Sequence, residues 1–389
     1  MDFVSIISIA LYLCTFFFGF QLGRDNLSPK YLKKRIRYVV WLYVFLCFGY
    51  MTGSDWRTYE QMFYGGNLIT QNAAEFGFWN TFNFLSKIID DYWIVVGILK
   101  AIYLYSFIRL AKIMTNQWPA LIAVSLPLSL MYLLIDNPLR YMMAMIFVNF
   151  ALPFLFKKKY LYFVLISLVG VSFHSTSIIV ILLISLSYHF PNKVLDIKPG
   201  ILAIIYIIFS LLLSGVSYLS EIQTKVNQLS VLYGFKDYDS YTINDNSSFF
   251  TIGSILTLFF GLYVIANISI IKQKYSWGPF VAKAALLYIF LQRATLLIPS
   301  GYRFLLPLSI FYALFFVIKS SSDFYVLIRM SPIVRKTILI IMTVTLVRSL
   351  YQEYVYIPYS NSIPYIIKGH LTFAERDYYN VKAADLRLK

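Results

Sequence analysis

YLYFVLISLVGVSFHSTSIIVILLISLSYHF, residues 160–190, holds 31 residues without a single Asp, Glu, Lys or Arg. A helix rises about 1.5 Å per residue and a hydrocarbon core is about 30 Å thick, so this run is too long for one ordinary span and short for two. It is broken at its middle by His174, with Ser172, Ser175, Thr176 and Ser177 around it. Burying that cluster unsatisfied costs several kcal/mol. A helix break or a wet cavity at His174 resolves the cost, and the sequence is read as two spans, 160–173 and 176–190.

The pattern repeats outward in both directions. Apolar residues make up 59% of the 389-residue chain, charged residues 13%, and mean hydropathy is +0.68. Further candidate spans are 3–20, 38–51, 94–110, 119–135, 141–156, 200–219, 250–271, 279–298, 303–318 and 337–352. The runs are long and continuous, without the short alternating segments of a membrane barrel. The expectation is an all-α polytopic integral membrane protein of about 12 transmembrane helices, with 11–14 allowed. Residues 1–352 form one multi-span domain and 353–389 a polar tail rich in Tyr and Pro. The run Phe3–Phe20 follows Asp2 and lacks a basic leader, so it reads as a retained first span.

A net charge of +16 suggests nucleic acid in a soluble protein. Here the cations cluster in short loops between spans, as the positive-inside rule requires, and no nucleic-acid partner is expected. Arg24, Lys30, Lys33, Lys34, Arg35 and Arg37 stand against one acid, Asp25. They place the first loop inside and the N-terminus outside. Past residue 190 the charge count does not choose a side. The two-span reading of 160–190 rests on the greater weight of short loops, Lys319 to Lys336 among them. The outer face then carries the loops 52–93 and 220–249, the turn 136–140, His174, the turn 299–302 and the tail. Cys14 and Cys47 lie in apolar runs and read as buried thiols without a disulfide or metal framework.

Each polar exception has two readings. In TGSDWRTY (52–59), Asp55 is a helix cap or a carboxylate that shares a face with Tyr59, four residues on. Trp56 and Tyr59 are interfacial anchors or sugar-stacking rings. In EFGFW (75–79), Glu75 precedes Gly77 and Trp79, as a surface turn or a re-entrant one. In DNPLR (136–140), Arg140 opens a helix, where its charge adds to the positive helix end; that favours a nearby anion, although a salt bridge to Asp136 competes. His174 is a proton carrier or is tied to a neighbouring helix. In PSGYR (299–303), Arg303 opens a span as Arg140 does. Arg293 sits mid-span on the approach, as a supporting cation or a paired one. Lys100, Lys283 and Arg348 read as cations that reach out to the interface.

No phosphate-binding glycine loop, HExxH, Cys/His metal spacing or GxSxG elbow is present in the sequence. Asp237/Asp239 is a lone DxD, a weak metal signal, so neither a metal nor a cofactor is expected.

Taken in order, Asp55-Trp56 with Tyr59, Glu75 with Gly77-Phe78, Arg140, His174-Ser175 and Arg303 resemble the EpsG family of Wzy-type polysaccharide polymerases. Arg140 is followed by Tyr141 where such proteins often have Gln. The resemblance implies an enzyme of the bacterial cytoplasmic membrane with its site facing the periplasm or outside. It would join undecaprenyl-pyrophosphate-linked oligosaccharide units into O-antigen, capsule or exopolysaccharide, beside membrane lipids, a flippase and a chain-length regulator. It implies Arg140 and Arg303, supported by Arg293, at the pyrophosphate. His174 and Asp55, ahead of Glu75, are candidates for the catalytic base, and Trp56, Tyr59 and Trp79 for sugar stacking. A lipid-carrier-dependent ligase or glycosyltransferase, a membrane acyltransferase and a flippase or transporter are the competing classes; the absence of an internal repeat counts against a transporter.

Overall fold

The computed structural model describes residues 47–51, 55–65, 75–116, 118–125, 138–213, 252–295, 301–317 and 360–378, with isolated positions at 36, 37, 40, 41, 44, 45, 128, 225 and 228. The expected spans 3–20 and 337–352, most of the loop 220–249, and Cys14, Asp136, Asp237 and Asp239 lie outside the described residues.

The chain is all-α. In order come α1 (Trp56–Phe63), α2 (Phe76–Ser86), α3 (Tyr92–Met114), α4 (Trp118–Ser125), α5 (Leu139–Phe156), α6 (Tyr160–Phe173) and α7 (Ser177–His189). They are followed by α8 (Pro199–Leu212), α9 (Ile252–Ala266), α10 (Ile268–Lys274), α11 (Gly278–Ala294), α12 (Ser309–Val317) and α13 (Ile363–Lys368). The described strands are β1 (Gly49–Tyr50) and β2 (Ser360–Asn361), which pair antiparallel with Gly49 opposite Asn361.

The run 160–190 breaks where its polar cluster sits. His174 leaves the helix with φ −155° and ψ 113°, and α7 restarts at Ser177. α3 and α5 are long and apolar enough to cross a membrane. α6 and α8 are shorter, but their outer faces are plainly apolar. Leu161, Leu165 and Leu168 on α6, and Ile201, Ile204, Ile208 and Leu212 on α8, stay at least half uncovered by protein. A water-soluble monomer rarely shows such faces; lipid covers them without cost.

By packing, the described chain forms two compact units, residues 1–178 with 317–389, and residues 179–316. In the first, α3, α5 and α6 make the core. Gly170 on α6 comes so close to α5 that an added Cβ would lie 3.0 Å from the Ala144 carbonyl oxygen. Asn149 Nδ2 on α5 donates to Ser106 Oγ on α3 at 3.0 Å. Asp91 caps α3, its Oδ1 accepting from the backbone N–H groups of Trp93 and Ile94. Such a cap is worth about 1 kcal/mol.

The described part of the tail folds back onto the segment before α3. Asn361 Nδ2 donates to the Phe45 carbonyl, Ser362 N–H to the Phe48 carbonyl, and His370 Nε2 lies 2.8 Å from Asp91 Oδ2. Arg57 pairs with Asp377 at 2.9 Å. Arg376 is buried and pairs with Glu60 at 2.6 Å. Its guanidinium lies 5.5–5.9 Å from the ring centres of Tyr50, Trp56, Trp93 and Phe373.

In the second unit, Lys283 Nζ donates to the carbonyls of Tyr188 and Phe190 at the C-terminal end of α7, where a cation complements the helix dipole. It caps a helix rather than reaching for the interface. Lys100, in the first unit, is wholly buried.

Candidate active site

Glu75 is the centre of a polar cluster on the first unit. It is the N-cap of α2 but makes no capping bond to its own helix. Instead its Oε2 accepts from Arg140 Nη1 at 2.6 Å, and its Oε1 lies 2.7 Å from His174 Nδ1 and accepts from the Ser175 N–H at 3.3 Å. The residue is almost fully buried, while the Arg140 side chain keeps about a third of its surface and that of His174 about a fifth. The carboxylate lies inside, and the two basic groups face outward from it.

Gly77 makes this reach possible. A Cβ there would lie 2.3 Å from Ser172 Oγ and 3.1 Å from the Ser172 carbonyl oxygen, so glycine gives the start of α2 its room against the end of α6. The sequence EFG thus carries both the carboxylate and the space that brings it to His174.

Arg140 is the second residue of α5, as its place after Pro138 predicts. Its Nε donates to Tyr59 Oη at 3.0 Å. Two partners thereby fix the plane of the guanidinium, and among the described residues Nη2 is left for a ligand. Burial pushes the Tyr59 phenol above its ordinary value, with the Arg140 charge opposing, so Tyr59 is a neutral hydroxyl at physiological pH. The edge of Tyr141 meets the His174 ring at 90°, with centres 5.7 Å apart. Tyr141 is a supporting residue that the sequence reading did not assign.

Electrostatics follow from this geometry. Burial alone would raise the Glu75 carboxyl. The His174 hydrogen bond and the Arg140 charge outweigh it and hold the carboxyl down to about 2. Glu75 is therefore ionised, and an ionised carboxylate only accepts. His174 Nδ1 must then carry the proton in that bond, which leaves Nε2 with the lone pair when the ring is neutral. Glu75, placed last among the expected bases, thus serves here as the partner that holds His174 and Arg140. Asp55 is the N-cap of α1 without a side-chain capping bond, and it is half-buried.

The other expected site residues fall elsewhere. Trp56 is wholly buried against Trp93 and Phe373, and Trp79 is buried against Phe78. Sugar stacking by either ring requires a face that the core now covers. Tyr59 is also buried, and holds Arg140 instead. Arg293 and Arg303 belong to the second unit. Arg293 is buried in α11, and its Nη2 donates to the Ser254 carbonyl of α9 at 2.7 Å. Arg303 lies half-buried in a 3-10 turn, Gly301–Leu308, that leads into α12. Among the described residues no group of three His, Cys, Asp or Glu side chains is placed to hold a metal ion.

A family model described as the EpsG family matches residues 34–367, most of the chain. No curated protein and no solved structure matches it.

Proposed function

The chain belongs to the EpsG family, a Wzy-like polysaccharide polymerase family, and we propose that it joins undecaprenyl-pyrophosphate-linked oligosaccharide units on the outer face of the bacterial cytoplasmic membrane. The observation that carries this reading is the bridge of one buried carboxylate, Glu75, between Arg140 and His174. An imidazole held by one nitrogen and a guanidinium held by two partners, both partly exposed, suit a reaction that takes a proton and releases an anion. The family and the apolar helices support the membrane setting; about a dozen spans and the outward-facing site belong to the proposal.

The acceptor sugar hydroxyl attacks the anomeric carbon of the donor chain. His174 Nε2 takes the hydroxyl proton as the new C–O bond forms. The bond from that carbon to the pyrophosphate oxygen breaks, and undecaprenyl pyrophosphate leaves with the electron pair. Negative charge grows on the leaving oxygen, and Arg140 meets it with a guanidinium that needs no further reorganisation. Glu75 stabilises the imidazolium formed in the step. A single displacement inverts the anomeric centre. Arg303 and Arg293 are proposed as further cations for the substrate on the second unit, Arg293 through the α11–α9 packing. The chain's own cations supply the charge, without a metal.

The test is to incubate the purified chain with a synthetic lipid-linked repeat unit and resolve the products. Wild type should give a ladder of lengths, and Arg140→Ala and His174→Ala single units only. Normal polymer from either variant overturns the assignment. A ligase would instead move finished chains without lengthening them.

A further inference from the structure

A second polar feature lies beside the site and takes no part in the chemistry above. The folded-back tail leaves a cavity of about 570 Å³ against α1, lined by Thr58, Glu60, Gln61, Tyr64, Phe373 and Arg376. Small-molecule sites typically occupy roughly 300–1,000 Å³ and combine aromatic walls with a few placed polar groups. Glu60 is buried, and its Oε1 is fully engaged, accepting from Arg376 Nη1 at 2.6 Å and Trp93 Nε1 at 3.2 Å. Its Oε2 has no hydrogen-bond partner among the described residues. A buried acceptor without a donor costs about 1–3 kcal/mol, more if charged. Oε2 has almost no exposed surface, so Glu60 sets the cavity wall through Arg376 and leaves the hydrogen bonding to its exposed neighbours.

The groups exposed around the cavity suit a sugar. Thr58 and Gln61 are exposed and offer a hydroxyl and an amide. The ring of Tyr64 is more than half exposed and Phe373 is half-buried, giving apolar faces of the kind that sugar C–H groups cover. The position also fits. Glu60 follows Tyr59 in α1, turned by about 100°, and Tyr59 holds Arg140. A ligand in the cavity would therefore lie along the helix that orients the diphosphate-binding guanidinium.

We infer that this cavity is a saccharide subsite, which binds sugar residues of the lipid-linked repeat unit away from the bond being formed. It rests on the polymerase reading for the identity of its ligand and on the cavity for its place. Thr58 and Gln61 supply the hydrogen bonding, and Tyr64 and Phe373 cover the apolar faces. The folded-back tail, pinned through Arg376, makes one wall of the subsite.

The probe is the repeat-unit oligosaccharide freed of its lipid carrier, titrated into the full chain in nanodiscs and followed by saturation-transfer NMR. Thr58→Val and Gln61→Ala sit on exposed positions that the fold does not need. Each should weaken oligosaccharide binding by about tenfold and raise KM for the lipid-linked unit with kcat nearly unchanged. Unchanged binding in both variants, or polymerisation by a wild type that binds no free oligosaccharide, overturns the subsite and leaves the polymerase reading intact. Binding that is lost in the variants of a chain that never polymerises supports the subsite and overturns the polymerase reading.

Discussion

Glu75 Oε1 and His174 Nδ1 lie 2.7 Å apart although 99 residues separate them in the chain. The pairing joins the start of α2 to the break between α6 and α7. It fixes which imidazole nitrogen faces outward, and from that the chemistry of the site follows.

The first consequence is kinetic. Glu75→Gln keeps the shape but can donate to Nδ1, which favours the wrong tautomer. Turnover should fall by on the order of 10²–10⁴-fold, the range contributed by a well-placed acid–base group, while binding of the lipid-linked unit changes little. Pre-steady-state polymerisation with a synthetic substrate measures both. An unchanged rate would remove Glu75 from the mechanism.

Stability should depend on pH through the same residue. Its carboxyl is held down at about 2 in the folded chain, against an ordinary 4.5. A depressed carboxyl stabilises the fold fully above the ordinary value and loses that effect as pH falls through the folded one. The thermal-stability gap between wild type and Glu75→Gln should thus persist from pH 7 to 5 and close as pH drops from 4.5 towards 2. Thermal unfolding in nanodiscs at pH 6, 4 and 3 reads the gap; one undiminished at pH 3 would contradict the ion pairing.

Gly77 carries a steric prediction. A methyl group at that position meets the Ser172 hydroxyl at 2.3 Å and its carbonyl oxygen at 3.1 Å, so Gly77→Ala must turn the hydroxyl aside and ease α2 from α6 by a few tenths of an ångström. The overpacking should cost about 1–3 kcal/mol and carry Glu75 away from His174, lowering activity more than stability. Gly77→Ala with Ser172→Gly should recover part of the activity. If the single variant is as active as wild type, the close approach is not what places Glu75.

Much of the architecture is legible in hydropathy alone. The spans expected at 94–110, 141–156 and 160–173 correspond to α3, α5 and α6, because apolar continuity and helix length are local properties. The break at His174 was legible too, since four hydroxyl residues beside an imidazole cannot sit unsatisfied in an apolar helix. The pairing of partners was not. Glu75 sat last among the candidate bases because nothing near it in sequence reveals that Arg140 and His174 converge on it. Trp56 reads as a sugar platform by its neighbours, yet the tail brings Phe373 and Arg376 over it from more than 300 residues away. The role of Tyr59 was likewise hidden, because its partner lies 81 residues on. The cation at Arg140 was legible for a local reason: its place at a helix start makes it costly unless it meets an anion.

Arg140 itself gives a prediction about charge against geometry. Lysine keeps the charge but cannot hold Tyr59 and Glu75 at once and still meet a diphosphate. Arg140→Lys should lower kcat by about 10²-fold or more, as for loss of one preorganised donor at a developing anion. A lysine variant at wild-type rate would mean that a point charge suffices there.

The most direct measurement is the nitrogen NMR of His174. The chain has three histidines, so uniformly ¹⁵N-histidine-labelled protein in nanodiscs gives a spectrum that His174→Asn assigns by loss of signal. At a pH where the ring is neutral, the account predicts a protonated Nδ1 and a bare Nε2, reversed or mixed in Glu75→Gln. A wild-type ring protonated at Nε2 instead would contradict it, because no lone pair would then face the acceptor.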